Sequence, residues 1–155
     1  MAKKTHGSLG HHYIVEASEC DPKIIGSVEK VQQILVKAAE EAGAQVWSIS
    51  FSKFPPKGVS GVAVISESHI STHTWPEYKY AAFDIYTCGD AIDPEKAVTY
   101  VLEAFGASTS HITEITRGLD EGDKIYFHSF ITWEEDFEKE EKKEKERPKR
   151  SSRKK

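Results

Sequence analysis

The chain has 155 residues and a mass of 17.4 kDa, with 21 Lys plus Arg against 25 Asp plus Glu, a formal net charge of −4. That length is one domain by default and buries a real core without staples, while the acidic balance is not that of a globally basic nucleic-acid binder. Two cysteines, Cys20 and Cys88, exclude a disulfide-dense scaffold; no run nears the ~18–20 apolar residues of a membrane span, and the polar segment Met1–Gly10 lacks the apolar stretch of a signal peptide, so a cytoplasmic chain is expected.

In chain order, His11–Ser18 reads as a strand. Asp21-Pro22 then supplies an N-cap and a proline at the first helical position. Ile24, Val28, Val31, Leu35 and Ala38 recur at 4-3-4-3 spacing as one apolar stripe, and Gly43 is the stop. Ala44–Phe54, Gly61–Trp75 and Tyr80–Cys88 read as strands. Asp93-Pro94 opens a second helix whose stripe is Ala97, Val98, Val101, Leu102 and Phe105, closed by Gly106. Thr109–Arg117 and Lys124–Trp133 are the last strands. The order is β-α-β-β-β-α-β-β. Two such helices can cover one face of a mostly antiparallel sheet, which makes the fold α+β, a two-layer α/β sandwich over residues 1–133.

Residues 134–155 are set apart by charge. They hold ten basic and eight acidic residues, net +2, against net −6 for the rest, and the last nine, from Arg147, carry six basic side chains and no acidic one. From Glu138 there is no aromatic or β-branched residue to order the segment. It reads as a short helical extension passing into a disordered, solvated tail, with an anionic partner such as RNA or a membrane surface as the functional alternative.

Alternation indicates which strand faces are covered, because side chains two apart point the same way. Trp47, Ile49 and Phe51 share one face, as do Ala81, Phe83 and Ile85, and these apolar sets should meet the helices. The opposite face, with Ala82, Asp84, Tyr86 and Cys88, is too polar for a core and too aromatic for a plain solvent face. It reads as a binding surface or an interface with a second copy.

Reactive side chains are densest in Ser66–Glu77, where Glu67, His69, Ser71, His73 and Trp75 fall on one face of a regular strand. His69 and His73 suggest a metal pair, but on a strand they lie about 13 Å apart, too far to share an ion, and no metal is assigned. A hydrolytic serine with a histidine base needs an elbow and an orienting acid, and Gly-x-Ser-x-Gly is absent. A third reading has the serine attack its own backbone.

The run Gly58-Val59-Ser60-Gly61-Val62, then Glu67-Ser68-His69 followed by His73-Thr74-Trp75-Pro76-Glu77, then Thr87-Cys88-Gly89, resembles the short prokaryotic S-adenosylmethionine decarboxylase proenzymes. The likeness is close over Phe54–Gly89, looser over His11–Gly122, and absent from the tail. What the resemblance implies is self-processing: Ser68 attacks the Glu67 carbonyl, an ester forms, and elimination cuts the chain into a β chain, 1–67, and an α chain, 68–155, headed by a pyruvoyl group made from Ser68. That group would form a Schiff base with the substrate amine and act as the electron sink. By the same resemblance His73 is the proton acceptor in processing and Ser60 steadies the processing intermediate. Cys88 is the proton donor in decarboxylation. Phe54, six residues before Ser60, stacks on adenine, and Glu77 binds the ribose hydroxyls. His69 has no role in that scheme, Trp75 reads as packing, and Cys20 as structural.

The resemblance also implies a homo-oligomer, at least a dimer, in which Phe54, Ser60, His73 and Glu77 serve the partner's Ser68 and Cys88. The substrate implied is S-adenosylmethionine, decarboxylated for spermidine synthesis. Arginine or another basic amino acid on the same scaffold is the runner-up, and a non-enzymatic homologue acting through its basic tail is the third reading.

Overall fold

The computed structural model describes residues 8–119 and 129–135. Seven strands form one antiparallel sheet: β1 (Ser8–Ser18), β2 (Val46–Phe54), β3 (Gly58–Ile65), β4 (Ser68–Trp75), β5 (Tyr80–Cys88), β6 (Thr109–Leu119) and β7 (Ser129–Glu135), in the spatial order β2-β3-β4-β5-β1-β6-β7. The helices are α1 (Pro22–Ile25), α2 (Val28–Glu41) and α3 (Pro94–Ala104). This is the expected two-layer α+β sandwich with one more strand and one more helix.

The helix signals act as read. Asp21 Oδ1 accepts from the Lys23 N–H at 2.8 Å, and Asp93 from the Lys96 N–H at 3.3 Å, satisfying amides that have no partner within the first turn. Gly43 and Gly106 follow the last helical turns at φ +82 and +67, a conformation that costs glycine little. The single helix expected from Asp21 to Gly43 is instead two. Gly26 ends α1, and Ser27 starts α2 by accepting from the Lys30 N–H at 3.3 Å.

The largest departure is the strand expected over Gly61–Trp75. It is a hairpin: β3 begins at Gly58, the chain turns at Ser66-Glu67, and Ile65 pairs with Ser68 across the turn. A turn of Ser and Glu carries none of the Gly, Asn or Pro punctuation that marks hairpins in sequence. Two tertiary bonds hold it: the Ser66 N–H donates to Gln45 O at 2.9 Å, and Ser66 Oγ accepts from the Gln45 N–H at 3.0 Å.

The core lies between the helices and the middle strands. Val15, Ile70 and Ile85 from the sheet and Val31, Leu35 and Val101 from the helices are fully buried. Phe83 meets Phe105 edge-to-face at 6.1 Å. The expected alternation holds on β5, where Ala81, Phe83 and Ile85 are buried and Ala82, Asp84, Tyr86 and Cys88 are half-buried. It holds only in part on β2: Phe51 packs against the core, but Trp47 and Ile49 are 62% and 42% exposed. A register shift between Val46 and Ser48 interrupts the alternation. Ile49 does pair with buried Ala63, so it faces the helix layer, but β2 is the outermost strand and the helices leave it largely uncovered. β7 continues to Glu135, and the tail expected from 134 otherwise lies outside the described residues, as does the 124–128 part of the expected last strand.

Thr74 is a buried polar joint between the layers. Its hydroxyl donates to Ile25 O at 2.6 Å and accepts from the Val59 N–H at 3.0 Å. Replacing Thr74 by Val leaves that buried amide unpaired, a cost of about 1–3 kcal/mol. The urea midpoint of Thr74→Val should fall accordingly with an unchanged m-value.

Candidate functional site

The sheet face away from the helices carries two groups of side chains, one at each end. At the first end sit the start of β4, the end of β5 and the start of β1. Asp84 on β5 is the centre of this group. Its Oδ2 accepts from His12 Nε2 at 2.7 Å and from His69 Nε2 at 2.8 Å, and its Oδ1 takes the Ser71 hydroxyl. Register puts these donors there: Ser71 lies directly opposite Asp84 on β4, and Ile14, two residues from His12, lies opposite it on β1. Partial burial pushes the Asp84 carboxyl up, but the hydrogen bonds from Ser71, His12 and His69 outweigh it and hold the group below the usual carboxylate range.

Ser68 opens β4 at φ +102. Neighbouring residues of a regular strand point to opposite faces, which would put Ser68 with Ile70 on the helix side. Instead its Oγ lies 3.3 Å from Nδ1 of His69. Hydroxyl, imidazole and carboxylate thus form one chain of contacts, Ser68–His69–Asp84. A positive φ on serine is costly to hold and is a common mark of a functional position. Glu67, on the other side of the expected scission point, is exposed in the turn.

Cys88 ends β5 on the same face, half-buried, one residue beyond Thr87, which pairs with Ser68. Gly10 lies opposite it on β1, where an added Cβ would come 2.4 Å from Thr87 O and 3.2 Å from Cys88 Sγ. Only glycine lets β1 pass this close to the thiol. Burial and the neighbouring Cys88 push the Tyr86 phenol up, against the pull of Arg117, whose guanidinium sits 4.4 Å from the ring centroid. Arg117 also reaches His12 Nδ1 at 3.3 Å.

At the second end, Ser60 on β3 pairs with His73 on β4, and Ser60 Oγ lies 2.8 Å from His73 Nδ1. Around them runs an aromatic row: Phe54 meets Trp75 edge-on at 5.8 Å, and Trp75 stacks on Tyr80 at 5.3 Å. Glu77 is exposed in the 3-10 turn Pro76–Tyr78 that follows Trp75. The seven expected residues therefore fall into two sets: Glu67, Ser68 and Cys88 at one end, and Phe54, Ser60, His73 and Glu77 at the other. Within one chain His73 lies five residues along β4 from Ser68, about 16 Å.

Sequence reasoning missed Asp84, His69 and His12 as a unit. Asp84 was visible as a lone carboxylate on the open face, but strand register alone reveals its partners. Two imidazole nitrogens and one carboxylate oxygen of these side chains lie within 4.8 Å of one another, closed on themselves as two imidazole-to-carboxylate hydrogen bonds. His69 and His73, both on β4, are four strand residues apart. Cys20 is buried with its Sγ 3.6 Å from Ala17 O, and desolvation pushes its thiol up to about 11, which fits a packing role.

The antiparallel sheet thus carries helices on one face and, on the other, a hydroxyl–imidazole–carboxylate chain beside a hairpin turn. The model of the S-adenosylmethionine decarboxylase family matches residues 11–118, and the chain belongs to that family. An S-adenosylmethionine decarboxylase proenzyme of Pyrococcus abyssi is 52% identical over 132 residues, covering 85% of this chain and 95% of that protein. One from Moorella thermoacetica is 50% identical over 114 residues, covering 74% and 91%. The crystal structure of the adenosylmethionine decarboxylase from Aquifex aeolicus superposes with a TM-score of 0.70 at 32% identity, over 75% of this chain and 96% of that one.

Because the folded Asp84 carboxyl lies below its unfolded value of about 3.9, its stabilising effect is complete above that value and lost as pH falls through the lower folded one. In a Ser68→Ala background, urea stability between pH 5 and 2.5 should drop more steeply with Asp84 than with Asp84→Asn. Parallel curves would mean that the carboxylate is not held as described.

Proposed function

We propose that the chain is a self-cleaving, pyruvoyl-dependent decarboxylase that converts S-adenosylmethionine to its decarboxylated form and carbon dioxide. The observation that carries this reading is the position of Ser68: a positive-φ serine at a hairpin turn, its hydroxyl on an imidazole and Cys88 nearby, in a chain about half identical to decarboxylase proenzymes. Ser68 Oγ adds to the Glu67 carbonyl carbon, and the Glu67–Ser68 amide becomes an ester. His73 then removes the Ser68 α-proton and the Glu67 carboxylate leaves. The dehydroalanine so formed tautomerises, and water replaces ammonia to give the pyruvoyl group. That group supplies the electron sink for loss of the substrate carboxylate. Cys88 delivers a proton to the substrate α-carbon. Phe54 stacks on the adenine, worth ~1–3 kcal/mol by analogy with base stacking, and Glu77 accepts from the ribose hydroxyls. The product is an aminopropyl donor suited to spermidine synthesis. Two free cysteines are consistent with a cytoplasmic setting.

A second copy completes the site. The about 16 Å between His73 and Ser68 on one strand supports a dimer packed through the open sheet faces. Phe54, Ser60, His73 and Glu77 of each chain then serve the other chain's Ser68 and Cys88.

Intact mass under denaturing conditions tests the chemistry. Two fragments divided between Glu67 and Ser68, the second lighter by one ammonia than its encoded mass, are expected; Ser68→Ala should remain whole at 17.4 kDa. A parent chain that stays whole would end the proposal. Cys88→Ala should still cut, yet release carbon dioxide from S-adenosylmethionine about 10²–10⁴-fold more slowly; release from arginine instead would reassign the substrate.

The shared site is tested by co-producing His73→Ala with Ser68→Ala. The His73→Ala chain, uncut alone, should be cut in the mixture, because the Ser68→Ala partner supplies an intact His73. An uncut mixture would return the site to a single chain.

A further inference from the structure

We infer that His69 is the general base that activates Ser68 for the first step of self-cleavage, and that Asp84 and His12 position it; this rests on the self-cleaving reading above. The argument is a proton count. Arg117 can only donate, so His12 Nδ1, 3.3 Å from its guanidinium, must accept, and the His12 proton sits on Nε2. The ionised Asp84 can only accept, so the Nε2 atoms of both His12 and His69 donate to its Oδ2. Neutral His69 therefore has its lone pair on Nδ1, and Nδ1 faces Ser68 Oγ at 3.3 Å. One assignment then accounts for every contact along Arg117, His12, Asp84, Ser71, His69 and Ser68. Among the described residues no buried side-chain nitrogen or oxygen lacks a partner.

A serine hydroxyl is a weak nucleophile unless a base takes its proton. Attack of Oγ on the Glu67 carbonyl carbon closes a five-membered ring through Cβ, Cα and the Ser68 nitrogen. The Oγ–C bond forms as the Oγ proton passes to His69 Nδ1. The C–N bond then breaks as His69 returns that proton to the departing nitrogen. The net change is an isomerisation of amide to ester, with no proton gained or lost. His73, supplied by the second copy in the reading above, acts only on the ester that follows, so the two histidines divide two consecutive steps.

The test separates those steps. Parent, His69→Ala, His69→Gln (which keeps a donor toward Asp84), Asp84→Asn and His73→Ala are made by cell-free synthesis and followed by intact mass, with and without hydroxylamine, which cleaves esters and spares amides. His69→Ala and His69→Gln should cut at least about 10²-fold more slowly than the parent, and the uncut chain should resist hydroxylamine. Added imidazole should restore cutting of His69→Ala and leave Ser68→Ala whole. Asp84→Asn should show the same hydroxylamine-resistant block with parent-like near-ultraviolet circular dichroism, because an amide N–H facing Nε2 forces the His69 proton onto Nδ1. His73→Ala should instead accumulate hydroxylamine-sensitive chain. A His69→Gln chain that keeps pace with a cutting parent, or a His69→Ala block that hydroxylamine relieves, overturns the His69 assignment alone. A parent that never cuts overturns both the assignment and the function it rests on.

Discussion

A half-buried carboxylate has to find donors, and at Asp84 that requirement organises one end of the sheet. Loss of solvation would keep the group neutral, but hydrogen bonds from three side chains on two neighbouring strands make the charged form the stable one. Each donor is in range only if β1, β5 and β4 keep their observed register, because a slip of one residue moves every side chain to the other face. The carboxylate thus orients the His69 ring, and the ring receives the Ser68 hydroxyl. Ser68 can turn that way only because the chain enters β4 with a positive φ.

The helix layer explains why such chemistry faces outward. Two principal helices cover the middle strands on one side and leave the other side open. On that open face a polar network and an aromatic row can persist without disturbing the core. Thr74 shows the converse: a hydroxyl inside the helix–sheet interface is tolerated because a carbonyl of α1 and an amide of β3 both bond it. The open face has a direction along β4, with Ser68 at its start and the Ser60–His73 pair near its end. One strand cannot bring those ends together, and the proposed facing of two copies is the arrangement that would.

Much of this was legible from residue order. Both Asp-Pro helix starts, both glycine stops and the β5 alternation need only local chemistry and appear where the pattern put them, while the first apolar stripe is divided between two helices. The family was legible because its motifs lie within one stretch, Phe54–Gly89. The Ser66-Glu67 turn was not, since it lacks the Gly, Asn or Pro that marks a hairpin and is held by Gln45, twenty-one positions away. Nor was the exposure of Trp47 and Ile49, which depends on β2 being the outer strand beyond the helices.

The sequence by itself determined which residue types were available and in what local conformation: a serine beside a histidine, a cysteine twenty positions on, and helices capped to cover a sheet. Periodicity and capping are short-range, so they can be read from neighbours in the chain. Only the tertiary structure decided that Asp84 and His12, fifteen and fifty-seven positions from His69, converge on its ring, and that Ser60 and His73 lie a strand's length from the serine they are proposed to serve. Strand register sets those meetings, and register is a property of the whole sheet, settled by which faces can be buried together.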